Sequence, residues 1–590
     1  MHKGSAFLRL PLTRGGAWDV ARWVGLAAAF VVSIDLVRWW RPAVLFEPDR
    51  TWWRLWFLIW AGSIAAVAFT GFASARLFRA FSESRLAKAP LQPFPLGRSG
   101  LLAAAALAAG IALRMASLAD PPPQFPDEAS LIAPALDLKG SIADFRHPLR
   151  AAPYGVPKPF GFVGVLYLEA FKWSLSAWGP TPLGIRFLSA AAGCISLVTG
   201  VLLARAVLPP GGASLAALAL AGLRWHLIMS QWGWVAVAVI PFIDVATLLV
   251  LRGRTRRSLP AMLAAGAVLG LGAHVYLTAW VAAAALVLYR LWPLGDDEPL
   301  TKRGLSASVF GAGFAVAVLP LFALGGPADP PYFSRAESHN LLRELRIHRS
   351  PMPFLAATAD GLTAPWFVPE PKGWADLPSR SRLGWILGIA VALAFARSLV
   401  RPRDALSALL LSHAAAGLAA AVAQGESGHP NGYRFVYLTS FCSIAVAGGA
   451  LALIAATPPN RRRAAALASV LLLVFAGARG AVDACVLWPA ARTSFDAFRG
   501  QQTLIAEAAL RWQRYGAVSV ETSRDAIVVR SIVEQPRFLS PAPDPAGAAT
   551  GRSFRVAAAG DAGRPGERCV EHVQDRWGRV WATVWGRRSR

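Results

Sequence analysis

Residues 101–140 read "LLAAAALAAGIALRMASLADPPPQFPDEASLIAPALDLKG": an apolar run, a proline-rich break, and then two adjacent carboxylates, Asp127 and Glu128. A hydrocarbon core of about 30 Å takes about 20 apolar residues per helical crossing. The run from 99 to 118 therefore reads as a membrane helix, and the acids stand just outside its end. The whole chain has the same character, with 590 residues, 55% hydrophobic, 16% charged, and a mean hydropathy of +0.44. Such apolar content outgrows any soluble core.

The ruler finds further runs at 18–38, 53–75, 160–178, 184–207, 213–230, 233–251, 259–275, 277–292, 307–325, 383–399, 405–423, 433–456 and 464–482. The expectation is an all-α polytopic membrane protein with about thirteen crossings. The first run is too long, and lacks the small-residue cleavage site, of a removable signal peptide. The net charge of +26 comes from short Arg clusters between apolar runs, a distribution that suits the positive-inside rule and not a nucleic-acid partner.

These clusters are Arg76/Arg79/Arg85/Lys88/Arg98, Arg252/Arg254/Arg256/Arg257, Lys302/Arg303, Arg397/Arg401/Arg403 and Arg461/Arg462/Arg463. Placing them in the cytoplasm puts 120–158, 326–382, 424–432 and the tail after 484 on the outer face. Four crossings between 160 and 251 would break this alternation, so one must be re-entrant, lie flat or merge with a neighbour. The run 160–178, which holds Glu169 and Lys172, is the weakest span of the four.

The expected organisation is an N-terminal region 1–98 with two extra helices, a transmembrane core 99–483, and a C-terminal extramembrane domain 484–590. That last part is polar, punctuated by Pro and Gly, and carries β-prone pieces such as "AVSVETS", "AIVVRS" and "RVWATVWG", so a small α+β or β-rich fold is expected. Cys485 and Cys569 would share the outer compartment, which is compatible with a disulfide or with two free thiols.

The segment "DEASLIAPALDLK" spaces Leu131/Ala135 and Ile132/Leu136 four apart, as a short helix on the membrane surface would. Asp127 then stands at its start, where an Asp is a favoured N-cap and the helix dipole stabilises both acids. From these residues alone, capping is the simpler explanation. The functional reading gains from what shares that face: "VPKPFG" with Lys158, "YFSRAESHNLLRELRIHRS" with Arg335 and His339, and "ESGHPNGYRF" with His429 and Arg434. A single Lys or Arg at a membrane edge is most often a snorkelling anchor. Together they suit a site holding a phosphate and a hydroxyl nucleophile.

At this point the sequence resembles the GT-C glycosyltransferase superfamily, namely the bacterial relatives of protein O-mannosyltransferases and of the lipid A aminoarabinose transferase. The resemblance rests on "FPDEASLI", "VPKPFG", "GPTPLGIRFLSAAAGCISLVTGVLLAR", "GAVLGLGAHVYLTAW" and "HPNGYRFVYLTSF", and covers about residues 99 to 456. Its motifs are short and degenerate. Lys158-Pro159-Phe160 departs from the family's Lys-Pro-Pro, and Gln231 in "SQWGW" stands where an Arg is frequent.

The resemblance implies a GT-C-like core whose first outer loop carries juxtamembrane helices, and transfer of a sugar from a polyprenyl-phosphate donor to a hydroxyl acceptor at the outer face of the inner membrane. Asp127 is then the candidate base, Glu128 orients the acceptor or pairs with a basic neighbour, and Lys158, with Arg335 and Arg434 as weaker partners, holds the donor phosphate. His274 and Tyr276 are candidates for an acceptor pocket, with His339 and His429 for sugar hydroxyls, and Trp232, Trp234 and Trp366 for a sugar platform. Asp127 and Glu128 suit a divalent cation chemically, but two adjacent acids are too few to specify one.

A transporter or flippase of a lipid-linked sugar would also need many helices. Transporters carry repeats and matched helix breaks, and neither is visible in the sequence. A polysaccharide polymerase or ligase is a neighbouring enzyme reading, and a scaffold explains the tail but not the convergent loops. Asp244, alone in its apolar run, has no partner visible in the sequence.

Overall fold

The computed structural model describes residues 82–118 with two single gaps, 165–323 apart from 180 and 295–297, 380–424, 432–491, parts of 504–521 and 552–588, and isolated residues elsewhere. The runs 18–38 and 53–75 lie outside the described residues, and the total of about thirteen crossings with them. Among the described residues, six helices are long and apolar enough to cross a membrane, or seven if one bent pair counts as a single span. The chain is a multi-pass membrane protein.

In chain order the helices are α1 (Ser99–Met115), α2 (Val165–Trp178), α3 (Pro182–Val207), α4 (Gly212–Ala221), α5 (Arg224–Gln231) and α6 (Ile240–Thr255). There follow α7 (Leu259–Ala273), α8 (Thr278–Leu291), α9 (Leu300–Ala323), α10 (Gly384–Val400), α11 (Ala405–Gln424), α12 (Thr439–Ala456) and α13 (Arg462–Val482). Local signals set several boundaries. Thr181 caps α3 by accepting from the Gly184 amide, with Pro182 in the first turn, and Ser258 caps α7 in the same way. In "GAVLGLGA", Gly266 lets α9 come so close that a Cβ there would lie 2.0 Å from the Phe310 carbonyl oxygen, the small-residue packing expected of helices in lipid.

The arginine clusters meet at one end of the bundle. Arg254 donates to the carbonyls of Tyr289 and Trp292, and the Trp292 indole donates to Pro402 O. Arg397 donates to Ala87 O at 2.8 Å, Arg462 to Gln92 Oε1 at 2.6 Å, and the Phe94 amide to Pro210 O. Segments 82–97, 208–212, 252–258, 289–303, 397–404 and 457–462 therefore share this arginine-rich end. Helices α1, α9 and α11 run from this end and finish, at Met115, Ala323 and Gln424, at the opposite one.

The break in alternation has a structural resolution. Helix α2 has 14 residues, about 21 Å of rise, and with Glu169 and Lys172 it is not one of the apolar helices. It packs beside the start of α3, with Ser174 Oγ donating to Gly184 O and Trp178 against Phe187. The run 213–230, counted as one crossing, is built of α4 and α5, bent by 54° at Gly222–Leu223. Helices α3, α4 with α5, and α6 then make three passes, and the 252–257 cluster returns to the arginine-rich end.

The bend sits where α13 crosses. A Cβ on Gly222 would lie 2.2 Å from Gly477 Cα, so the two backbones touch. Gly222→Ala is expected to cost about 1–3 kcal/mol by overpacking. Thermal unfolding of the detergent-solubilised protein should show this, whereas Gly100→Ala, in a helix with open space around it, should leave stability near the wild type.

The C-terminal strands β1 (Ala517–Glu521), β2 (Arg552–Ala558), β3 (Arg568–Gln574) and β4 (Val580–Arg588) form one sheet in the order β1-β2-β4-β3. The pair β1–β2 is parallel and the others antiparallel. Phe554, Val556, Val573, Ala582 and Val584 bury one face against Ile505, Ala508 and Ala509. Two of the three β-prone pieces supply β1 and β4, while "AIVVRS" lies outside the described residues. Cys485 and Cys569 are both free thiols.

Arg555 grips Glu567 through two donors, at 3.1 Å and 2.7 Å, and this ion pair is partly buried. The grip holds the Glu567 carboxyl below the usual carboxylate range. A depressed folded value stabilises the fold fully above the unfolded value near 4.5 and ceases to do so as pH falls through the folded value. Acidification below about pH 4.5 should therefore loosen the β2–β3 loop, read by hydrogen exchange, and Glu567→Gln should flatten that dependence.

Candidate functional site

The broken helix creates a problem that the sequence around it solves. An interruption at membrane depth leaves carbonyls at the end of α4 without their helical donors, and lipid offers none. Arg114, in the last turn of α1 and fully buried, supplies them. Its Nη2 donates to Leu220 O at 3.0 Å, and its Nη1 to Ala221 O at 3.2 Å and Gly110 O at 2.8 Å.

Arg114 also fixes His226. A guanidinium only donates, so His226 Nδ1, 2.8 Å from Nη2 and 3.2 Å from Nε, is the acceptor. Its hydrogen is then on Nε2, which faces Ser196 Oγ at 2.7 Å, and Ser196 in turn donates to Gly193 O at 2.8 Å. Ser230 donates to the His226 carbonyl one turn later. The relay is complete in hydrogen, with a neutral imidazole and one permanent cation.

The two residues before that histidine engage further charged groups. Arg224 Nη1 donates to Asp483 Oδ2 at 3.0 Å, and Arg380 pairs with the other oxygen of the same carboxylate. Arg382 lies 5.6 Å over the ring of Trp225, a cation–π contact in a buried setting. Arg186, in the first turn of α3, is buried as well. Among the described residues, this end gathers Arg114, Arg186, Arg224, Arg380 and Arg382 against Asp483 and the half-buried Glu169. The result is a surplus of positive charge in low dielectric, where it acts over longer distances than in water.

Of the residues expected to form the site, Asp127, Glu128, Lys158, Arg335, His339 and His429 lie outside the described residues, as does Trp366. Arg434 is in the 3-10 turn Gly432–Leu438, and its side chain is likewise outside the description. His274 and Tyr276 are both buried at the α7–α8 turn, and His274 Nε2 donates to Ala317 O at 2.8 Å.

Trp232 and Trp234 correct an expectation. They stack on one another at 5.8 Å and are only 1% and 5% exposed, so they pack the core and offer no face to a sugar. Gln231, noted as a departure from the family, ties α1 to the turn after α13 by donating to Leu113 O and approaching Cys485 Sγ at 3.3 Å. Asp244 also has partners, since Thr199 and Ser440 both donate to its Oδ2, at 2.8 and 3.0 Å. Sequence reading missed the Arg114–His226 and Arg224–Asp483 pairs. The available signal was the polar island "LRWH" inside an apolar run, because ionisable residues at membrane depth need named partners.

No protein-family model matches this sequence, and no curated protein matches it. Among solved structures the chain is similar to ArnT of Cupriavidus metallidurans bound to undecaprenyl phosphate, at 13% identity over 83% of this chain and 98% of that one, with a TM-score of 0.46. It is also similar to the Archaeoglobus fulgidus oligosaccharyltransferase tethered with an acceptor peptide, at 15% identity over 78% and 65% of the two chains, TM-score 0.49. The same archaeal enzyme, AglB, in complex with an inhibitory peptide and a dolichol-phosphate, gives 14% identity over 78% and 69%, TM-score 0.44. At this identity and these scores the likeness is one of chain course alone and lends this chain no residue roles.

Proposed function

We propose that this protein is a membrane glycosyltransferase that moves a sugar from a polyprenyl-phosphate donor to a hydroxyl acceptor on the outer face of the inner membrane. The observation that carries the reading is the surplus of buried arginine at the end of the bundle to which the Asp127, Lys158, Arg335 and His429 loops attach. A lipid-linked phosphate needs a cationic setting at membrane depth, and a polyprenyl chain needs the bilayer beside it.

In this reading Asp127 takes the proton from the acceptor hydroxyl as its oxygen bonds to C1 of the sugar. The bond from C1 to the phosphate oxygen breaks, and the polyprenyl phosphate leaves with the electron pair. Lys158, with Arg335 and Arg434, stabilises that developing charge, and Glu128 orients the acceptor. A single displacement of this kind inverts C1. Arg114 and Arg224 belong to the scaffold, since their donors go to backbone carbonyls, His226 and Asp483. Among the described residues no group of three His, Cys, Asp or Glu side chains is arranged to hold a metal.

The broken helix favours a second reading, transport of a lipid-linked sugar, because interrupted helices mark transporter sites. The polar groups at this break are occupied by one another, which suits a scaffold better than a substrate path. The test is release of polyprenyl phosphate from a panel of polyprenyl-phosphate sugars by the protein in lipid nanodiscs with candidate hydroxyl acceptors, followed by mass spectrometry. Transferase activity releases the carrier phosphate with formation of the glycosylated acceptor. Movement of intact donor across proteoliposomes without release would establish the transport reading instead.

A further inference from the structure

A cavity of about 380 Å3 opens at the arginine-rich end, and none of its lining residues is assigned to the sugar-transfer site. Its walls come from the 82–97 segment, the α3–α4 turn, the α10–α11 turn and Gly448 of α12. Two cations face it. Arg397 is buried and donates through Nη1 to Ala87 O, while Arg401, about one-third exposed, reaches Ala89 O at 3.4 Å. Each guanidinium has five N–H donors, and among the described residues neither makes another hydrogen bond.

Among the described residues lining the cavity the one acid is Asp404, whose Oδ2 stands 3.6 Å from both Arg397 and Arg401. This is a loose ion pair beyond hydrogen-bond distance, and it leaves one positive charge over. Ser398 is occupied, since its hydroxyl donates to Ala394 O. Ser407 is different: the residue is only 3% exposed and lines the cavity, and among the described residues its hydroxyl makes no side-chain hydrogen bond, so it is available to whatever enters. The remaining walls, Leu91, Val207 and Leu406, are apolar.

We propose that this cavity binds a phosphate group, with Arg397 and Arg401 as its cations and Ser407 as its neutral donor. Arginine forks match phosphate geometry and keep their charge at any working pH. The apolar walls fit the glycerol and first acyl carbons of a lipid whose headgroup supplies the phosphate, and a soluble phosphate would use the same three donors. The site is separate from the sugar-transfer reading and does not depend on it.

The test uses the full-length protein, delipidated in detergent. Native mass spectrometry follows binding of phosphatidylglycerol, with phosphatidylcholine as the zwitterionic control, and titration calorimetry follows inorganic phosphate. The variants are Arg401→Gln, which removes one cation, and Gly448→Leu, which fills the cavity and leaves both arginines in place. The tightest phosphatidylglycerol adduct should weaken about tenfold in each variant, with thermal unfolding close to that of the wild type and little binding of phosphatidylcholine. Calorimetric binding of inorganic phosphate with the same variant sensitivity, and no specific lipid adduct, would support the phosphate site and assign it to a soluble source. Equal anion binding by the wild type and both variants would overturn the proposal. So would loss in Arg401→Gln with retention in Gly448→Leu, which would move the anion out of the cavity to the exposed arginine.

Discussion

Arg114→Met should destabilise the bundle by about 3–5 kcal/mol, although it keeps the length and apolar volume of the side chain. Two acceptors, Ala221 O and His226 Nδ1, lose the Arg114 donor, and Leu220 O keeps only the backbone amides of its own turn, Leu223 N among them at 3.4 Å. Each buried acceptor left open costs about 1–3 kcal/mol, and partial relaxation of the break keeps the total below the simple sum. The sulfur of methionine accepts but cannot donate, so it repairs none of them. Arg114→Lys keeps the charge, yet a single ammonium cannot reproduce a planar fork that spans two carbonyls and an imidazole. Its loss should be nearly as large. Thermal unfolding in detergent measures both, and unchanged unfolding in Arg114→Met would show that the α4 end is satisfied in some other way.

Asp127→Asn should lower the rate of carrier-phosphate release by about 10²–10⁴-fold, the usual contribution of a positioned general base. The substitution separates the two explanations that the sequence offers for this residue. Asparagine is as good an N-cap as aspartate, so the helix start and the unfolding temperature should stay near wild type. An amide cannot take the acceptor proton, so the chemistry should stop while donor binding persists. Release that continues at the wild-type rate would leave Asp127 a cap and move the base elsewhere. Lys158→Ala offers a contrast, because removing a cation that faces the leaving phosphate should weaken both donor binding and release.

Asp127 stands out in the sequence because it pairs with Glu128 just past the proline-rich break that ends an apolar run, and the run itself is counted from composition and bilayer thickness. The same count located α1, α3, α6 and the later helices with ends off by up to about seven residues, since burial in lipid leaves an apolar record along the chain. The positive clusters predicted a shared end, and Arg254, Arg397 and Arg462 meet there. The small-residue pattern at Gly266 likewise announces a close helix contact.

Arg114 could not be read in this way. One arginine near a helix end looks like an interfacial anchor, and its partners lie 106 to 112 residues further along the chain. The break at Gly222 was equally hidden, because a glycine in an apolar run is tolerated in a straight helix, and only the crossing of Gly477 makes it a bend. Asp244 finds Thr199 and Ser440 from two other helices, and Trp232 and Trp234 turn into the core and not toward a sugar. The sequence by itself determined that this chain crosses a membrane many times, where most of those passes run, and which ends they share, because hydrophobic length and loop charge are local properties. The tertiary structure alone decided which polar residues satisfy one another and where a helix must break, because a buried donor in lipid is completed by whichever distant backbone or side chain packing brings within 3 Å.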